Sequence, residues 1–387
     1  MEALQQAIET ILHHPQRNTL FATAGALTAL GTALFLNPLK APPTDVHDGI
    51  TSGRTQLSKL SDEEYSRLPY PPDIYPGGEW LDTPYGTIRT YEFGPKNGKK
   101  VLFVHGISTP SIVARDLIWD LVEKGGCRVL IFDLFGRGWS DTPYLPHDSR
   151  LYTSQILLVT RAAKADFSRF SIIGYSLGGG IAMSFASYFP KMIEDITLLA
   201  PAGLLRSTRI GLFTRLAYVG MLPGGIEELL VRARVWFRAS GANEGAESAK
   251  GSDGNAMPYD VRDRTKPIDI PAIMKWQTST HQGFFYSFAS SFRHSPIYDR
   301  DEEWIKVANY LKRGEIGGKK VLMVMGEVDT VVDLGTLEIA KKIMGEDRVK
   351  SVILKGVEHD LVAKNAPQVA EAILDFYFGE GRHRKYY

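Results

Sequence analysis

A serine set at the apex of a strand–turn–helix limits this chain most. The stretch Gly174-Tyr175-Ser176-Leu177-Gly178-Gly179 follows a β-rich apolar run, residues 170–173, and precedes a helix-like segment, residues 180–188. A side chain at such an apex sits in a strained backbone region, and its neighbours must be small. Gly174 and Gly178 stand two positions either side of Ser176, where a Cβ would collide with the adjoining strand or helix. The turn also puts Ser176 at a helix N-terminus, where free N–H groups favour developing negative charge. The five-residue pattern alone is common, so its meaning depends on what the other strand ends carry.

Strand and helix signals alternate on both sides of this turn. Residues 86–93 alternate in polarity and read as an edge strand, 100–104 and 128–132 read as buried strands, and 195–199, 320–325 and 350–354 read as further strands. Helical periodicity marks 111–123, 153–164, 337–344 and 368–378. Such alternation implies right-handed crossovers and a mostly parallel sheet flanked by helices. Reactive groups then gather beyond the carboxyl ends of the strands.

The alternation stops after Pro201-Ala202-Gly203. Residues 204–318 are helical and aromatic, with Phe284, Phe285, Phe288 and Phe292 at helical spacing within 277–292. Residues 210–222 and 226–237 are amphipathic candidates, and 239–258 is a Gly-, Ala- and Ser-rich loop. The stretch reads as a helical cap inserted into the sheet domain. The four phenylalanines are expected to pack in the core, some of them lining a pocket.

The N-terminal stretch has a different character. Residues 18–39 carry no charge, and 19–36 as a helix would run roughly 27 Å, close to a bilayer core of about 30 Å. The 18-residue polar lead-in and the lack of a small-residue cleavage site argue against a signal peptide, so a single-pass membrane anchor is expected. Arg17 and Lys40 flank it evenly, which leaves orientation open. A proline-punctuated linker and lead-in follows, residues 37–82, with a short helix candidate at 62–68. The expected organisation is therefore anchor and linker 1–45, core 46–203, cap 204–318 and core again 319–387. A net charge of +1 gives no electrostatic case for nucleic acid. The lone cysteine, Cys127, excludes an intrachain disulfide and reads as a core residue.

The late strand ends supply what a serine needs. A hydroxyl is a weak nucleophile without a base, and a histidine base needs a carboxylate to fix its tautomer. Asp329 follows the strand at 320–325 in Gly326-Glu327-Val328-Asp329, and His359 follows the strand at 350–354. The order Ser176, Asp329, His359 matches one recurrent chain order for this chemistry. Leu177 N–H at the helix start and Ile107 N–H after His105-Gly106 are candidate oxyanion donors. Glu327 and Asp333 bracket Asp329, and the Gly-x-x-Asp spacing favours Asp329. His105 is expected to hold its loop and Asp133 to stabilise a turn. Glu358 and Asp360 are expected to face solvent. His13, His14, His47, His147, His281, His294 and His383 lack metal-ligand spacing and read as surface or packing residues, His281 with a secondary possibility of substrate contact.

Taken together, His105-Gly106, Asp133 with Gly136-Arg137-Gly138-Trp139-Ser140, Gly174 to Gly179, Gly326 with Asp329, and His359 resemble the α/β-hydrolase superfamily over about residues 88–378. Within it the chain looks closest to the capped serine esterase, monoacylglycerol-lipase-like and C–C hydrolase branch. The resemblance implies Ser176 as nucleophile, Asp329 as orienting acid, His359 as base, Ile107 and Leu177 as oxyanion donors, and no cofactor or metal. It points to a serine hydrolase acting on small-molecule esters or lipids. Epoxide hydrolases and haloalkane dehalogenases place an aspartate where Ser176 stands. A C–C hydrolase, amidase or acyltransferase, or a non-catalytic scaffold, remains as the alternative. One acyltransferase branch carries an aspartate five positions after the histidine, and here that position is Lys364.

Overall fold

A computed structural model describes residues 49–209 and 261–380. Its centre is an eight-stranded sheet in the order β1-β2-β4-β3-β5-β6-β7-β8. The strands are β1 (Gly78–Thr83), β2 (Gly86–Phe93), β3 (Lys100–Val104), β4 (Arg128–Phe132), β5 (Phe170–Tyr175), β6 (Ile193–Leu199), β7 (Val321–Gly326) and β8 (Val349–Leu354). Pairing is antiparallel for β1–β2 and β2–β4 and parallel from β4 through to β8.

Every residue of β5 and β7 is buried. Successive strand side chains point to opposite faces, so both faces of the sheet are covered. Two helix groups do the covering. One contains α2 (Arg115–Glu123), α9 (Leu361–Lys364) and α10 (Ala366–Phe378). The other contains α3 (Ser149–Ala162), α4 (Leu177–Tyr188), α7 (Asp301–Arg313) and α8 (Leu334–Met344). The short α1 (Asp62–Ser66) precedes the sheet behind a capping box, with Ser61 and Glu64 each bonding the other's backbone N–H.

Several expected boundaries move, for local reasons. The lead-in is more than a linker: it contains β1, and Tyr70, Ile74 and Tyr75 are buried. Because β1 pairs outside β2, residues 86–93 form an interior strand and not an edge. The helix expected at 153–164 starts at Ser149, where the Asp148 carboxylate accepts the N–H groups of Arg150 and Leu151. The segment 277–292 divides into α5 (Ile270–Thr280) and α6 (Phe284–His294). Gly283 separates them where a Cβ would fall 2.1 Å from Thr142 Oγ1. Cys127 is fully buried, and its thiol is pushed up to about 12.

The expected anchor at 19–36 lies outside the described residues, as do the amphipathic candidates and loop at 210–258 and the basic tail at 382–385. Among the described residues no helix is long and apolar enough to cross a membrane.

Candidate active site

Ser176 joins β5 to α4 with φ 53° and ψ −119°, a strained conformation for a residue bearing a Cβ. The backbone around it is fixed on both sides. Its N–H donates to Leu199 O at 2.9 Å, and its carbonyl accepts from Gly179 N–H at 2.9 Å and Ala202 N–H at 2.8 Å. The flanking glycines allow this closeness. A Cβ on Gly174 would stand 2.3 Å from Gly178 O, and one on Gly178 would stand 2.1 Å from Val104 O.

The sheet register delivers the two partners. Gly326 at the end of β7 pairs with Leu354 at the end of β8, so the loops carrying Asp329 and His359 leave the sheet side by side. Val328 N–H donates to Val357 O at 3.1 Å and ties the two loops together. His359 Nδ1 lies 2.8 Å from Asp329 Oδ2, and His359 Nε2 lies 3.0 Å from Ser176 Oγ. The carboxylate can only accept, so Nδ1 carries the proton and Nε2 faces the hydroxyl as an acceptor. Asp329 Oδ1 accepts from Val331 N–H at 2.8 Å and Val332 N–H at 2.9 Å, which fixes the carboxylate. Tyr175 OH donates to His359 O at 3.1 Å and steadies the loop from below. Glu327 instead accepts from Gly356 N–H, and Asp333 is the residue before α8. Glu358 is exposed as expected, whereas Asp360 is half-buried and paired with Lys364 at 2.8 Å.

The turn after β3 lies against this serine. A Cβ on Gly106 would stand 3.3 Å from Ser176 Cβ. His105 Nε2 accepts from Leu134 N–H at 2.8 Å, so Nδ1 holds the proton and donates to Gly106 O at 2.8 Å. In a trans peptide the carbonyl and the next N–H point in opposite directions. His105 therefore sets the direction of Ile107 N–H by holding Gly106 O. Leu177 is the first residue of α4, and its N–H has no acceptor within the helix. Burial, with the Arg137 charge adding to it, pushes His105 down to about 3, so this ring stays neutral.

The turn after β4 is built on Asp133. Its buried carboxylate accepts from Tyr70 OH, Ser111 N–H and Trp139 N–H. Two further side chains tie these turns to the inserted helices, and sequence reasoning missed both. Arg137 Nε donates to Ile107 O at 2.5 Å, and its other nitrogens reach Ser287 and Ser291 on α6. Gln277 on α5 accepts from Gly138 N–H at 2.7 Å and donates to Ser108 O at 2.8 Å. The available signal was a charge between two glycines and an amide within an apolar helix stripe. Phe284, Phe285 and Phe288 form a small apolar cluster of their own, packed against Ile107 and Met274.

His147 and His281 are buried, and His281 Nε2 donates to Ser140 O at 2.8 Å, a tie to the turn after β4. Burial pushes His147 down to about 3 and His281 to about 4. With His105, these groups are neutral when folded, and the unfolded chain protonates them near its ordinary value of about 6.5. Their stability contribution is whole above that value and is lost as pH falls toward the folded values. Burial raises the Asp133 carboxyl, which works the other way, as one group against three. The thermal midpoint is expected to drop between pH 7 and pH 4.5; a flat midpoint across that range would contradict this balance.

A family profile described as alpha/beta hydrolase fold matches residues 99–219. An uncharacterized protein of Mycobacterium tuberculosis is 29% identical over 138 residues, 36% of this chain and 39% of that one. A serine hydrolase-like protein of Danio rerio is 30% identical over 140 residues, 35% of this chain and 41% of that one. The chain thus spans about two-fifths of the length of these relatives. Among solved structures, a bacterial membrane phospholipase A superposes with a TM-score of 0.58 at 16% identity, covering 94% of this chain and 98% of that one. At that identity the likeness is one of fold.

Proposed function

We propose that this chain, a member of the α/β-hydrolase superfamily, is a serine hydrolase that cleaves carboxylic esters of lipids or other apolar acyl compounds. The observation carrying the reading is the pair of hydrogen bonds, 2.8 Å and 3.0 Å, that links Asp329 through His359 to a strained serine. His359 Nε2 takes the Oγ proton as Ser176 attacks the ester carbonyl carbon. The carbonyl oxygen becomes an oxyanion, received by Leu177 and Ile107 N–H groups. As the intermediate collapses, the C–O bond to the alcohol breaks and His359 returns the proton to the leaving oxygen. Water, giving a proton to the same imidazole, then attacks the acyl carbon; the acyl C–Oγ bond breaks, His359 returns the proton to Ser176 Oγ, and the acid leaves. Each step balances without a cofactor.

The apolar acyl group is supported by the phenylalanine cluster against Ile107. We read the insert at 204–318 as the cap over the site. A fluorophosphonate probe is expected to label the full-length protein, and Ser176→Ala to abolish the label. Labelling retained in that variant would place the nucleophile elsewhere, and a wild-type protein that neither labels nor hydrolyses esters would favour a scaffold.

The uncharged run at 19–36 supports a single-pass membrane location, where lipid esters are concentrated. Deleting residues 1–40 is expected to release the protein from membranes with its esterase activity kept. A truncated protein that stays with the membrane pellet would refute the anchor.

A further inference from the structure

We propose that Arg137 is a positioning residue that ties the oxyanion turn to α6, so that the hole for the developing negative charge is complete only while the inserted helices are seated. This rests on the reading of Ile107 as an oxyanion donor.

Arg137 is fully buried, and its partners are neutral. Its Nε donates to Ile107 O at 2.5 Å, Nη1 to Gly136 O, Phe135 O and Ser287 Oγ, and Nη2 to Ser291 Oγ at 3.2 Å. The ring faces of Phe284 and Phe288 lie 5.5 Å and 5.8 Å from its guanidinium carbon. Burial pulls the guanidinium down to about 10, so it remains charged at neutral pH. A buried charge without a carboxylate is costly, and a neutral side chain could fill the same space. What a neutral residue could not do is join three separate elements through one rigid fork.

Those elements are the turn after β3, the turn after β4 and α6. The serines are equipped to receive the fork. Ser287 Oγ donates to Gly136 O or Phe284 O, and Ser291 Oγ donates to Ser287 O at 2.7 Å, leaving lone pairs for Arg137. Gln277 makes a parallel tie one residue further on, from α5 to Ser108 O. His105 holds Gly106 O from the sheet side. The peptides on both sides of Ile107 are thereby fixed, one by the sheet domain and the other by the insert through Arg137. An oxyanion donor is worth roughly 10²–10³ in turnover, and a misplacement of about 1 Å can cost about 10²-fold. Loss of the tie should therefore appear in kcat.

The test compares full-length wild type, Arg137→Lys, Arg137→Met and the Ser287→Ala/Ser291→Ala pair, by ester kinetics and by amide hydrogen exchange. Arg137→Met is expected to lower kcat about 10- to 100-fold with KM within about threefold, and to speed exchange at residues 106–108. Arg137→Lys, a point charge in place of the fork, should recover only part of the rate. The serine pair keeps Arg137 and the core volume, and should move kcat and exchange in the same direction even if Arg137→Met does not fold. Unchanged exchange at 106–108 with kcat within about twofold of wild type in the serine pair and Arg137→Lys would overturn the proposal. If the wild type hydrolyses no ester, the enzymatic reading falls, and exchange at 106–108 still decides whether the tie exists.

Discussion

Ser176→Ala and His359→Ala are each expected to lower kcat/KM for a short-chain p-nitrophenyl ester at least ~10³-fold, with the fold unchanged. A factor of that size is about 4 kcal/mol of transition-state stabilisation. In the proposed mechanism the hydroxyl and the imidazole form one proton path, so removing either removes that path, and the two losses should not add. Stability should hold, because the strain at residue 176 belongs to the backbone. Its N–H and carbonyl keep their bonds to Leu199, Gly179 and Ala202 whichever small side chain is present. A fall of less than about tenfold in a folded variant would refute the assignment.

Asp329→Asn is expected to be comparably severe, for a reason legible in the hydrogen bonds. Asp329 Oδ1 is held by the N–H groups of Val331 and Val332. An asparagine must leave its oxygen there, since an NH₂ would face two donors. The amide NH₂ is then turned toward His359 Nδ1, which today gives its proton to Oδ2. To accept that bond, Nδ1 must lose its proton and Nε2 must gain one. The nitrogen facing Ser176 would then be a donor and no longer a base. Turnover should fall on the order of 10³- to 10⁴-fold, while thermal stability moves little. Glu327→Gln, on the same loop but bonded to Gly356, serves as the control and should stay within about twofold of wild type. An Asp329→Asn enzyme retaining a tenth of its activity would show that the carboxylate does not set the tautomer.

The parts readable from the chain were those governed by short-range rules. The central parallel strands were visible as apolar runs with their terminating turns, because a strand buried on both faces, as β5 and β7 are, has no polar alternation to hide it. The lead-in was misread for the opposite reason. β1 is six residues with half-exposed character, and its strand state depends on pairing with β2. Tyr70 carries no local mark of burial, and it goes inside because the Asp133 carboxylate is there to receive its hydroxyl. The boundary of α3 moved four residues because the Asp148 side chain caps it, a choice made between competing polar groups.

By itself the sequence determined the strained serine turn, the mostly parallel sheet and the strand ends from which Asp329 and His359 emerge. Spacing and residue type within a few positions decide backbone conformation, and a parallel sheet then brings its carboxyl ends to one edge. Only the tertiary structure decided which ring nitrogen of His359 carries the proton, and that Arg137 and Gln277 reach across to hold the turn bearing Ile107. Those outcomes depend on donors and acceptors far apart in the chain, whose pairing is fixed by burial and geometry.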